Sequence, residues 1–221
     1  MNKLLTGKIA IAAGPSAFSI RSVVRTLLQE GATVIVAARS AGEIASLKAS
    51  LIGIDTGKLV TLLTDYPDYD KVFELSEGIT EQFGSIDMAI ICFDAFSGAN
   101  AGNIIETDIV EWEKMIDNNI TAFFVAGRVV LGSMRQYNKG MFVSVVNSVG
   151  FEHKNFTAVT GLTTCMQTEM AKMFFEEAVK YNIRCYHLSV NAHSGRNDIG
   201  AFIMQLYKGI GHRSSFQNLL L

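Results

Sequence analysis

Short runs of β-branched and aliphatic residues alternate with helix-length segments from one end of the chain to the other. Ile9-Ala10-Ile11-Ala12-Ala13 reads as a first strand and Thr33-Val34-Ile35-Val36-Ala37 as a second. Leu59 to Leu63, Met88 to Cys92, Met141 to Val146 and Ile183 to Val190 continue the series. Continuous apolar runs of this kind suit strands covered on both faces. Between the first two strands, Ile20, Val23, Val24, Leu27 and Leu28 recur three and four residues apart, as one face of a helix does. Gly31 follows where a helix C-cap glycine is expected. A longer helix is predicted to carry Ile109, Trp112, Ile116, Ile120, Phe123, Val130 and Met134 on its apolar side. The tail Phe216-Gln217-Asn218-Leu219-Leu220-Leu221 reads as a seventh strand or as an interface plug.

Parallel neighbours need crossover connections, and the helices supply them. The pattern therefore predicts an α/β protein: one Rossmann-type, doubly wound parallel sheet of six to seven strands with helices on both faces. Neither a repeat nor a low-complexity tract breaks the sequence, so residues 1–221 are read as a single domain. Apolar residues make up 49% and charged residues 18%. That surplus is assigned to buried strands and subunit interfaces, since no run reaches the roughly 18 apolar residues of a membrane span. The formal net charge of −2, without a basic block, argues against nucleic-acid and anionic-membrane surfaces. Met1 to Gly7 lacks an apolar core of signal-peptide length, so a cytoplasmic location is expected. Cys92, Cys165 and Cys185 are widely spaced and read as reduced core thiols. The four histidines show no metal-ligand spacing, and no metal is expected.

In doubly wound sheets ligands bind beyond the carboxyl ends of the strands, where the strand order reverses. The stretches that lead to those ends carry a resemblance. Gln29-Glu30-Gly31-Ala32-Thr33-Val34, Phe83-Gly84-Ser85-Ile86-Asp87 and Glu111-Trp112-Glu113-Lys114-Met115-Ile116-Asp117-Asn118-Asn119 resemble the short-chain dehydrogenase/reductase family along nearly the whole chain. The last of them looks like that family's long interface helix, ending on its structural asparagine.

The resemblance implies NADP(H) or NAD(H) as cofactor, with an empty or blocked pocket as the alternative. It places cofactor contacts at Gly14, Ser16, Phe18, Ser19, Ile20, Arg39 and Asp65. Where the family has Gly-x-x-x-Gly-x-Gly, this chain has Gly14-Pro15-Ser16-Ala17-Phe18-Ser19-Ile20, so Phe18 and Ile20 replace the second and third glycines. Arg39 stands where the family often reads a 2′-phosphate, and Asp65 where it keeps an acid near the adenine. Ile91-Cys92-Phe93-Asp94 replaces the family's Asn-Asn-Ala-Gly.

The same resemblance places the catalytic positions at Ser148, Asn119, Thr160 and Thr164. The family's tyrosine gives or takes the proton and its lysine, four residues on, lowers the tyrosine pKa from the same helical face. Thr160 and Thr164 stand at those two places here, and no tyrosine occurs between Tyr137 and Tyr181. A threonine hydroxyl is too basic for that role. The mobile substrate lid expected after about residue 190 is shortened to Ala192–Asn197. These departures favour a catalytically silent family member acting as a subunit of a homo-oligomer (dimer or tetramer), or of a hetero-oligomer with an active paralogue. The alternative is an atypical NADP(H)-dependent carbonyl oxidoreductase built on Ser148 and Asn119.

Overall fold

The computed structural model describes residues 3–14, 18–93, 104–147, 158–190, 199–210 and 218–220, with backbone only at 18–19, 104, 147, 158–160 and 218–220. The strands are β1 (Ile9–Ala13), β2 (Thr33–Ala38), β3 (Lys58–Leu63), β4 (Met88–Ile91), β5 (Gly140–Asn147), β6 (Ile183–Val190) and β7 (Asn218–Leu220). They form one sheet in the order β3-β2-β1-β4-β5-β6-β7, and every neighbouring pair is parallel. Seven parallel strands meet the upper end of the expectation. The tail supplies the seventh, pairing Leu219 with Leu188.

Helices cover both faces, as parallel strands require. On one face lie α1 (Phe18–Gln29), α2 (Ala41–Ser50) and α7 (Ile199–Tyr207). Ile20, Val23, Val24, Leu27 and Leu28 of α1 are buried there with Leu47 of α2 and Ile203 of α7. Burying one such side chain contributes about 1.5–3 kcal/mol, so these positions anchor α1. The α1–α7 contact is close because Gly200 leaves room: a Cβ there would lie 2.2 Å from Thr26 Oγ1. The opposite face carries α3 (Tyr69–Phe83), α4 (Ile109–Met115), α5 (Ala122–Gln136) and α6 (Ala158–Ala178). Val72, Ile79, Phe123, Val130, Met134 and Ala171 pack beneath these helices.

The long helix expected from Ile109 to Met134 is interrupted. Residues Ile116–Thr121 form a π turn that separates α4 from α5. The extra residue in such a turn rotates everything upstream by about 100° relative to the α-helical register. The apolar face thus holds from Ile120 to Met134, all of whose predicted members are buried, but fails at Ile109, which is 66% exposed. Helix starts follow ordinary chemistry. Ser40, Asp68 and Asp108 accept from the amides of Glu43, Lys71 and Val110 at the first turns of α2, α3 and α4.

Candidate functional site at the carboxyl edge of the sheet

The strand order reverses at β1, which has β2 on one side and β4 on the other. Gly14 is the first residue beyond β1, with φ +91°, and a Cβ on it would lie 1.6 Å from the Cys92 carbonyl oxygen beyond β4. The Cys92 amide also donates to Ala13 O at 3.0 Å. The glycine is demanded by this approach of two backbones as well as by its left-handed conformation. The two strand ends meet tightly at the reversal.

Tyr66 lies across the neighbouring ends. It follows β3 by three residues, and its hydroxyl donates to the Ala37 carbonyl of β2 at 2.7 Å. The Gly14 amide approaches the Tyr66 hydroxyl oxygen. The Tyr66 ring meets the Phe93 ring edge-on, with centroids 4.7 Å apart. Both residues are buried. Burial raises the Tyr66 hydroxyl well above the usual phenol range, so it acts as a neutral donor. One side chain thus runs from β3 over β2 to β1, and its partner closes the end of β4.

Arg39 spans the same edge from outside. Its guanidinium donates to Asn118 Oδ1 in the π turn at 2.6 Å and lies 3.6 Å from Glu43 Oε1, while its amide donates to Glu43 Oε2 at 2.9 Å. This acid comes from the first turn of α2, where its charge also suits the helix dipole. Asp65 is exposed and faces Lys71 at 3.8 Å, in the turn that leads to the Asp68 cap of α3.

Towards β5 the site is stitched by amides. Gln167 of α6 is buried, and its Nε2 donates to Phe93 O at 2.7 Å and to Asn119 O at 3.0 Å. Asn119 is buried too, with Nδ2 donating to Met115 O at 3.0 Å. Thr164 is buried, and its carbonyl accepts from the Thr168 hydroxyl at 2.7 Å. Beneath runs a further chain: Ser144 Oγ lies 2.7 Å from His187 Nδ1, and His187 Nε2 lies 3.1 Å from Thr168 Oγ1. Burial pushes the His187 pKa down to about 4 and that of the Cys185 thiol up to about 12. Both are therefore neutral near pH 7, and Cys185 is no nucleophile.

Of the residues singled out from sequence, Gly14, Arg39 and Asn119 gather around this edge, and Thr164 stands on α6 above it. Ile20 is fully buried in the α1 core, and of the expected core thiols Cys92 and Cys185 are buried whereas Cys165 is exposed on α6. Asp65 turns outward. Ser16, Asp94, Ser148 and the shortened lid 192–197 lie outside the described residues, as do the side chains of Phe18, Ser19 and Thr160. Tyr66, Phe93, Gln167, Glu43 and Asn118 were missed as site residues. Tyr66 carried one usable signal, a large aromatic immediately after the acid that follows β3. No group of His, Cys, Asp and Glu among the described residues could hold a metal. None of the described helices is long and apolar enough to cross a membrane.

A parallel sheet in the order 3-2-1-4-5-6-7, with its functional edge beyond β1 and β4, defines the class of doubly wound, dinucleotide-type domains. The model of the family described as short chain dehydrogenase matches residues 9–190, and the chain belongs to that family. An uncharacterized oxidoreductase of Staphylococcus saprophyticus is 27% identical over 176 residues, covering 76% of this chain and 74% of that protein. A short chain dehydrogenase from Mycobacterium smegmatis superposes with a TM-score of 0.82 at 18% identity, covering 99% of this chain and 92% of that one. A metagenomic short-chain oxidoreductase in complex with NADP gives 0.81 at 17% identity, covering 98% and 97%. The family is one that typically binds NAD or NADP.

Whether such a cofactor fits is decided by the described residues for its adenosine half alone. In this class the adenosine lies against the end of β2, where an acid meets the ribose or an arginine meets a 2′-phosphate. At that strand end the Tyr66 hydroxyl is hydrogen-bonded to the Ala37 carbonyl, and the arginine is engaged by Glu43 and Asn118. The groups that would meet the ribose or a 2′-phosphate are thus already engaged, and the side chains at this strand end do not fit an adenosine.

Proposed function

We propose that this protein is a member of the short-chain dehydrogenase family that has left hydride transfer behind and serves as a subunit of an oligomer. The observation that carries the reading is α6 itself. The helix after β5 contains no tyrosine, and its one lysine, Lys172, sits more than two turns beyond Thr160 and Thr164. Neither threonine supplies an acidic hydroxyl or a cation at the positions the family uses. The filled carboxyl edge supports the same reading.

The association half of the proposal rests on α5 and α6. Phe124 and Met173 are 43% and 60% exposed, and Leu162 and Met166 add further apolar surface on α6. A groove of about 610 Å³ lies between α3, α5 and α6, lined by Tyr69, Phe73, Arg128 and Phe174, away from the carboxyl edge. Such surface on a charged background fits a homodimer or tetramer, or a heteromer with an active paralogue.

The second reading, an atypical NADP(H)-dependent carbonyl reductase, draws on Arg39 at the end of β2. One set of measurements separates the two. The mass of the purified protein in solution is recorded, and turnover of carbonyl substrates with NADPH is compared between wild type and Ser148→Ala. An oligomer without turnover supports the subunit. Turnover abolished in Ser148→Ala overturns it in favour of the reductase, and a monomer overturns the association.

A further inference from the structure

The residues that fill the carboxyl edge do so in an ordered way. Tyr66 comes from the β3 end, Phe93 from the β4 end, Arg39 from the β2 end and Asn118 from the π turn before α5. Their contacts interlock. The Tyr66 hydroxyl is held by Ala37 O, its ring by Phe93, and Phe93's carbonyl by Gln167 of α6. Above them, Arg39 bridges to Asn118, whose neighbour Asn119 offers its carbonyl to the same Gln167. Three strand ends, α6 and the π turn are thereby tied across the space where this class of sheet receives an adenosine.

From this we infer that the chain carries its own occupant: Tyr66 with Phe93 is a built-in plug of the adenosine subsite, and Arg39–Asn118 is its latch. Tyr66 is then the residue that decides whether the crevice admits an adenine nucleotide. The chemistry of the plug matches what it displaces. A flat aromatic ring takes the place of the purine, its hydroxyl satisfies a backbone carbonyl, and the adjoining arginine is neutralised by Glu43 rather than by a phosphate. An entering nucleotide must expel a buried ring and break two hydrogen bonds before making any of its own. Its apparent affinity falls in proportion to the fraction of molecules in which the plug is open. The inference concerns the crevice and does not depend on the threonines of α6. A protein with turnover and a protein without it are both compatible with the plug, so its failure is distinguishable from failure of the subunit reading.

The test is a gain of binding, which a purely structural role of Tyr66 would not produce. Full-length wild type, Tyr66→Val and Phe93→Ala are titrated with NADPH and with NADH by calorimetry, and thermal melts establish that each variant is folded. Removing either ring is expected to tighten NADPH binding about tenfold or more over wild type. The two variants come from different strands, so misfolding of one leaves the other as the test. A second arm adds Glu43→Gln together with Asn118→Ala to the folded single variant. Freeing the arginine is expected to raise the preference for NADPH over NADH, because only the former carries the 2′-phosphate. Equal or weaker binding in the folded ring variants, including no binding by any of them, overturns the plug. An unchanged preference with both side-chain partners of Arg39 removed overturns the role given to the latch.

Discussion

The Gln167 side-chain amide stands 3.0 Å from the Asn119 carbonyl, a backbone group that the π turn Ile116–Thr121 contains. In an uninterrupted α-helix that carbonyl would be committed to the amide four residues on. A side chain from α6 reaches it here and holds Phe93 with the same nitrogen. The π turn and the strand end are thus coupled through one residue.

Gln167→Leu should therefore be costly despite its similar volume. It leaves two buried carbonyls without this donor, each worth about 1–3 kcal/mol when unsatisfied. We expect a loss of about 2–4 kcal/mol in urea unfolding, with the largest rise in amide exchange at the end of β4 and in the π turn. A loss below 0.5 kcal/mol (about the level of a neutral surface change) would show that the amide does not bind the two elements.

Two glycines should respond in opposite directions to the same substitution. Gly14→Ala forces a Cβ to 1.6 Å from the Cys92 oxygen and imposes a left-handed conformation on alanine. A loss of about 3 kcal/mol or more is expected. Gly78 lies exposed within α3, where an added Cβ meets nothing within 4 Å, so Gly78→Ala should stabilise by about 0.5–1 kcal/mol. Thermal melts of the two variants side by side check both signs.

His187 makes stability depend on pH. Its folded pKa is pushed from 6.5 down to about 4 by burial. At pH 7 neither the folded nor the unfolded state holds the proton, so the group contributes no penalty. As pH falls through 6.5 the unfolded state binds a proton that the folded state refuses, and stability declines until about pH 4, where both are protonated. The total loss from this group is of the order of 3 kcal/mol. His187→Asn should flatten that part of the unfolding profile between pH 6.5 and 4 while lowering stability at pH 7. An unaltered slope would assign the acid sensitivity to other groups.

Phe124→Glu combined with Met173→Glu places like charge on exposed apolar positions of α5 and α6. The melting temperature of the monomeric unit should change little, since neither side chain is in the core. An oligomer of wild type should dissociate in light scattering, because unpaired charges in an interface centre are strongly unfavourable. Unchanged mass in the double variant would place the interface elsewhere.

Much of the sheet was legible in sequence because buried parallel strands need continuous apolar runs, and Ile9–Ala13 and Ile183–Val190 supply them. The face of α1 was equally plain. Ile109 was misplaced because a π turn adds a residue without any compositional mark, and the registers on its two sides cannot be joined by counting. At the site, sequence logic looked for the residues that a nucleotide would need. Gly14 and Arg39 answered that search, but it could not show that Glu43 pairs with Arg39 across a helix turn. Tyr66 and Phe93 are 27 positions apart in sequence, and only the β3-β2-β1-β4 strand order brings their rings together.

The Tyr66–Ala37 contact has a consequence for how the protein persists in a cell. A domain that relies on a dissociable nucleotide gains stability in proportion to the logarithm of the free ligand, so its abundance follows the supply of that ligand. A phenol ring tethered to its own binding place is never diluted and never consumed. With the crevice plugged as inferred above, the folded lifetime of this chain is expected to be uncoupled from the reduced and oxidised nucleotide pools, unlike that of a cofactor-dependent relative.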